Sequence, residues 1–214
     1  MRALRDEKMN AFLPYVDKPG AVEEKVTSQP VRLAEINKEW IDLDILRGWT
    51  SACDQYHGDV CRHIQDSNMP QPVKKPYWLI DVDSFCLVKA CPQMEYLALS
   101  YVWGHSKAES ACALQENIDA LQVPGALAGK LILMPKTVLH ATHLTRLLGK
   151  NYLWVDRFCI VQNDGTGAKQ VQLDAMGDIY AGAEAVIIAA CGENADCGLH
   201  GIPSVSDRRY LTCE

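Results

Sequence analysis

The 214-residue chain is 48% hydrophobic and carries a formal net charge of −6. That length suits one full domain with a core, or one domain plus an appendage, and that apolar fraction excludes wholesale disorder. The acidic balance excludes a nucleic-acid binder that works by neutralising phosphates, and no apolar run reaches the roughly 18 residues a membrane span requires.

Residues 1–30 carry mixed charge, Pro14, Pro19, Gly20 and Pro30, with little periodicity; they read as a poorly ordered lead-in. Residues 31–75 read as a helical extension followed by a linker. Leu43, Leu46, Trp49, Cys53 and Tyr56 recur at three- and four-residue spacing, with Asp42 as N-cap and Gly58 as the stop. A helix of that pattern needs a partner surface. Cys53, His57 and Cys61 are four apart, with His63 close by. On a continuous helix the three share one face, as zinc ligands can. Gly58 and Asp59 interrupt the run, and cysteines packing inward at a helix end is the alternative.

Residues 76–214 form the main domain. The segments 77–82 and 85–88 read as two short strands about Asp83 and Ser84, a hairpin at a sheet edge. Residues 96–104 are nearly all apolar, which suits a strand buried on both faces. A short helix over 116–121 and a turn at Pro124 and Gly125 follow. Pro135, Val138, Leu139, Leu144 and Leu148 mark a helix with Gly149 as its C′ residue. Then come a strand over 152–156, a loop over 163–167, and a helix over 168–180 that buries Val171, Leu173, Met176 and Ile179. A Val- and Ile-rich strand over 185–190 closes the series. Strand, helix, strand, helix, strand is the pattern of a parallel sheet with right-handed crossovers. The expected fold is α/β, with three parallel strands at the centre, an edge hairpin and a helical N-terminal extension.

Nine cysteines sit largely in apolar segments, and residues 1–10 lack the apolar stretch of a secretory signal. The expectation is a reducing compartment, the cytoplasm, with thiols buried as small hydrophobes. Gly165, Gly167 and Lys169 precede a helix as phosphate loops do, but the Walker spacing is absent. Gln170 also stands where a dinucleotide fingerprint needs its third glycine. His140 and His143 lie one turn apart without a carboxylate or cysteine beside them in sequence, and they read as a solvated or half-buried pair rather than a metal site. Cys159 serves as a nucleophile only if the fold brings a histidine near; otherwise it is a buried thiol.

Ser100, Tyr101, Trp103, Asp156, Gln162 and Asp164 remain, all at strand ends. Adjacent parallel strands bring such groups to one rim, where ligand crevices of open α/β sheets lie. Trp103 then stacks on a planar ring while Ser100 and Asp156 hold hydroxyls. Ser100, Tyr101, Trp103, Asp156 and Gln162 are thus the ligand-binding candidates, and Asp156 and Cys159 the catalytic ones. The competing reading places the aromatics in the core and makes Asp156 a turn cap.

Four blocks carry a resemblance: residues 96–104 (Tyr-Leu-Ala-Leu-Ser-Tyr-Val-Trp-Gly), 134–137 (Met-Pro-Lys-Thr), 148–162 around Trp154, Val155 and Asp156, and 176–183. In order and spacing they resemble the fungal heterokaryon incompatibility (HET) domain. The chain departs from the family's pattern at Met134, at Arg157, where a small residue is usual, and in the loop after Gln162. The resemblance implies a role in non-self recognition that ends in cell death, through protein partners or self-association. It also implies a distant, TIR- or flavodoxin-like core. Some TIR domains cleave NAD at the nicotinamide bond with a glutamate, since an oxocarbenium-like centre needs a carboxylate beside the ribose. Family members continue to a Trp-x-x-Gln-Glu block that this chain lacks, so the expectation is a signalling module rather than a catalyst. A nucleotide-processing enzyme, a TIR-like NAD glycohydrolase or a biosynthetic enzyme, is the alternative, with NAD as substrate and zinc as the candidate metal.

Overall fold

The structure, a computed structural model, describes residues 37–52, 55, 74–105, 111–129 and 133–208. The lead-in over 1–30 and the candidate metal ligands Cys53, His57 and Cys61 lie outside the described residues. Five strands, β1 (Trp78–Asp81), β2 (Cys86–Lys89), β3 (Leu97–Ser100), β4 (Tyr152–Trp154) and β5 (Ala185–Ile188), build one sheet in the order β2-β1-β4-β3-β5. β3 runs parallel to β4 and to β5, while β1 is antiparallel to both β2 and β4. The architecture is mixed α/β. Among the described residues no helix is long and apolar enough to cross a membrane.

The edge hairpin and the parallel trio match the sequence reading. Asp81 closes the hairpin by accepting the amides of Asp83 and Ser84 at 3.0 and 2.8 Å. Leu97, Ala98 and Leu99 of β3 are buried, as a strand covered on both faces requires. One correction concerns β5. Among the described residues it pairs only with β3 and forms a sheet edge rather than part of the centre, and Val186 is 38% and Ile188 69% exposed.

The helices show three further departures. In α1 (Leu43–Ala52), Asp42 caps as read, accepting the amides of Asp44 and Ile45 at 3.0 and 3.1 Å. The partner surface expected for α1 covers it in part: Leu43, Ile45 and Leu46 are half-buried, none of its residues is fully buried and Trp49 is 65% exposed. Polar contacts also tie it, from the Ile41 amide to the Gly201 carbonyl and from the Arg47 guanidinium to the Leu147 carbonyl.

The segment read as a strand over 152–156 stops at Trp154, and a single helical turn, α4 (Asp156–Cys159), follows. After the short α2 (Ile118–Leu121), α3 (Lys136–Leu147) spans the expected residues, and Gly149 sits at φ +75° where a left-handed C′ residue is needed. The Lys150 amide returns to the Thr145 carbonyl at 3.0 Å to close that end.

The helix expected over 168–180 divides at Ala175 into α5 (Ala168–Asp174) and α6 (Met176–Ala181). Val171 and Leu173, expected inside, are exposed, and Gln172 takes the buried position. The reason is polar. The Gln172 amide accepts the Tyr77 amide proton at 3.0 Å and donates to the Lys75 carbonyl at 3.3 Å. Those bonds satisfy backbone groups leading into β1 that no ladder partner serves.

Candidate functional site

β3 and β4 pair in parallel with Leu97 beside Leu153 and Ala98 beside Trp154, so the residues following both strands emerge at one end of the sheet. There the Trp103 indole N–H donates to Asp156 Oδ2 at 2.9 Å. The other carboxylate oxygen accepts the Arg157 amide at 2.7 Å, within the first turn of α4. The carboxylate thus takes one backbone donor of that turn and holds the aromatic across the strand gap. The Trp103 strand exit is itself fixed: its carbonyl accepts the Ala195 amide at 3.1 Å. Gly104, at φ +53°, passes so close to the 193–194 backbone that a Cβ would lie 2.6 Å from the Glu193 carbonyl oxygen.

Arg157 completes the rim. Its side chain is buried at 1% exposure, with the guanidinium carbon 4.4 Å from the Trp103 ring centroid. The Tyr101 hydroxyl lies close to Asp156 and Arg157. Burial, reinforced by the Asp156 charge, pushes the Tyr101 hydroxyl far above the ordinary phenol range, and the neighbouring Arg157 offsets part of that rise. Tyr180 of α6 donates to the Leu99 carbonyl at 3.2 Å and meets the Trp154 ring edge-on at 5.2 Å. Burial also raises the Asp156 carboxyl above its ordinary range, against the lowering effect of the Arg157 amide, the Trp103 indole and the Arg157 charge.

The structure therefore brings Tyr101, Trp103 and Asp156 together, with Ser100 at the end of β3 beside them. Gln162 joins them by a different route. Its side-chain amide donates to the Asp156 and Ile160 carbonyls at 3.0 and 2.9 Å, clamping the backbone that follows α4. Asp164 stands apart and organises the loop before α5: it accepts from the Thr166 amide and hydroxyl and from the Lys169 amide. Cys159 lies in the core, where burial pushes its thiol up to about 12, so it holds almost no thiolate at neutral pH. Among the described residues no three His, Cys, Asp or Glu side chains come together as a metal-holding group.

Chemically, this rim presents a carboxylate and an indole face that are engaged within the chain, the first by two N–H donors and the second by a guanidinium. Arg157 stands out in the sequence only as a departure from the family's small residue; its burial under Trp103 was not legible, because arginine is among the residues least often buried. His140, read in the sequence with His143 as a solvated or half-buried pair, is 5% exposed and bonds through Nδ1 to the Leu199 backbone, with its ring against Gly198.

Residues 96–213, more than half of the chain, match the family model described as heterokaryon incompatibility protein (HET). A curated relative, heterokaryon incompatibility protein 6, OR allele, of Neurospora crassa, is 33% identical over 111 residues. That match covers 50% of this chain and 16% of the relative, so the chain spans about a sixth of that protein's length. No solved structure matches the chain.

Proposed function

The chain belongs to the heterokaryon incompatibility family, and from that premise we propose that it acts in fungal non-self recognition as a cytoplasmic protein-interaction and self-association module. The observation that carries this reading is the outer edge of β5, which pairs with no strand among the described residues. Residues 185–192, Ala-Val-Ile-Ile-Ala-Ala-Cys-Gly, contain no charge, and Val102, Val186 and Ile188 are exposed near the ends of β3 and β5. An open, uncharged strand edge is a template for another strand. The occupant is a second copy: antiparallel pairing about a two-fold axis sets the same uncharged residues against themselves and desolvates no charge.

Sedimentation equilibrium over a concentration series tests this, comparing the chain with a Val186→Lys/Ile188→Lys variant. The expected result is a concentration-dependent dimer that the variant loses. A chain that stays monomeric throughout, or a variant that associates equally, overturns the reading.

The second reading is a nucleotide-processing enzyme on a TIR- or flavodoxin-like core, with NAD as substrate. It is favoured by the meeting of Trp103 and Asp156 where two adjacent parallel strands end. Self-association is preferred because the Trp103 face and both Asp156 oxygens are already engaged. Nicotinamide release from NAD by the purified chain would reverse that preference. The zinc proposal for Cys53, His57 and Cys61 is tested by elemental analysis of the purified chain.

A further inference from the structure

A cavity of about 210 Å³ opens between the start of β1 and the segment that runs from α4 into α5. Because β1 is antiparallel to β4, Trp78 lies at the same end of the sheet as the exits of β3 and β4. None of Ser100, Tyr101, Trp103, Asp156 or Gln162 lines this cavity. It is a separate concavity from the rim described above.

Its walls are pinned. Gln172 holds the Tyr77 amide, the Lys169 ammonium donates to the Gln162 carbonyl at 2.8 Å, and the Gln115 amide donates to Asn163 Oδ1 at 2.8 Å. Trp78, Ile118, Cys159 and Ile160 supply an aromatic and apolar interior. Two charged side chains line it, Lys169 and Asp164. The ammonium has one acceptor and therefore two further N–H donors. Asp164 Oδ1 takes the Thr166 amide, the Thr166 hydroxyl and Gln115 Nε2, whereas Oδ2 takes only the Lys169 amide at 3.0 Å and keeps acceptor capacity.

Those two groups select by charge. An anionic ligand gains Lys169 but meets Asp164, and a cationic one gains Asp164 but meets Lys169. An uncharged group that places an acceptor beside a donor satisfies both. The volume falls below the roughly 300–1,000 Å³ of sites for drug-sized molecules, which limits the ligand to about one ring. We infer that this cavity is a binding site for a small, uncharged, planar aromatic molecule with an amide edge: carbonyl toward Lys169, N–H toward Asp164, ring against Trp78 and Ile118.

Ligand-observed NMR on the full chain tests the assignment with benzamide, benzoate and benzylamine. Benzamide is expected to bind saturably with a Kd of about 1 mM, and the two charged analogues about tenfold more weakly. Ala168→Phe, which fills the cavity from its rim, and Lys169→Met, which removes the ammonium, are each expected to weaken benzamide about tenfold. Near-UV circular dichroism checks that each variant keeps its fold, and either variant alone suffices if the other does not. No saturable benzamide binding, equal binding of all three probes, or benzamide binding unchanged in a folded variant overturns it. The inference is independent of self-association: a strictly monomeric chain that binds benzamide sustains it.

Discussion

At one edge of the sheet β2 buries Cys86 and Leu87 and ends on Lys89; at the other β5 presents Val186 and Ile188 to solvent and contains no charge. The hairpin joining β1 to β2 is also closed over. The Gly125 and Leu127 amides donate to the Ser84 and Phe85 carbonyls at 2.7 and 2.9 Å, and the Lys89 ammonium lies 5.9 Å over the Trp78 ring. Natural sheets guard their edges with charge, cover or brevity against pairing with other chains. β2 uses all three, and β5 only brevity. A chain able to guard one edge and leaving the other apolar gives the second edge its functional weight.

The largest expected effect tests the difference in cover. Leu87→Ala removes a side chain that is 1% exposed and is expected to cost about 3 kcal/mol in urea unfolding. Ile188→Ala, on the opposite edge, is expected to cost under about 0.5 kcal/mol. Equal losses would mean that β5 is covered and the contrast is void.

Between the edges, Trp103 ties the ends of β3 and β4. Trp103→Phe keeps the ring under Arg157 but removes the donor to Asp156, and is expected to cost about 2 kcal/mol. The pH dependence follows from the raised Asp156 carboxyl. A folded-state value above the ordinary 3.8 means that the folded chain binds this proton more tightly than the unfolded one. Its contribution is therefore fully present below about 3.8 and is lost as pH rises through the raised folded value. Carboxyl titration by NMR is expected to show Trp103→Phe moving that value further up, since a bond to the charged form has gone. A downward move would remove the indole from its assigned role.

A smaller effect is expected where β5 begins. Glu184 donates its amide to the Tyr96 carbonyl at 2.9 Å and pairs its carboxylate with Lys150, anchoring the strand from its inner side. Glu184→Gln is expected to cost about 1 kcal/mol, with the difference shrinking as salt is added. A loss of that size without any change in association separates the anchoring of β5 from its open edge.

Much of this arrangement was legible in the chain. β3, β4 and β5 are short apolar runs alternating with helical stretches, and a parallel trio is the solution such a series allows. The Trp103–Asp156 meeting followed from that topology, because both residues trail adjacent strands. What could not be read depends on long-range partners. Val171 and Leu173 have the periodicity of a core face, but Gln172 displaces them because it serves backbone groups nearly a hundred residues away, at Lys75 and Tyr77. Arg157 is buried by an aromatic face and a buried phenol that no local pattern announces. The exposure of β5 was equally hidden, since an apolar strand reads alike at the centre and at an edge.

The smallest expected change in stability sharpens the comparison most. Ile188→Lys replaces a side chain that is 69% exposed, so the unfolding free energy of the monomer is expected to move by less than about 0.5 kcal/mol. The reciprocal change, Lys89→Val, gives β2 an uncharged end and exchanges a weak contact with Trp78 for a residue that favours strands. Its effect on the monomer is expected to be as small. Association should nonetheless move in opposite directions, falling in the first variant and rising in the second, when both are followed by sedimentation at matched concentration. Charge at an edge acts on what the strand meets in another molecule, where an ammonium must shed water to be buried, and hardly at all on the fold that presents it. If Lys89→Val associates no more than its parent, cover by the hairpin guards β2 without help from the lysine, and the openness of β5 then rests on the lack of cover alone.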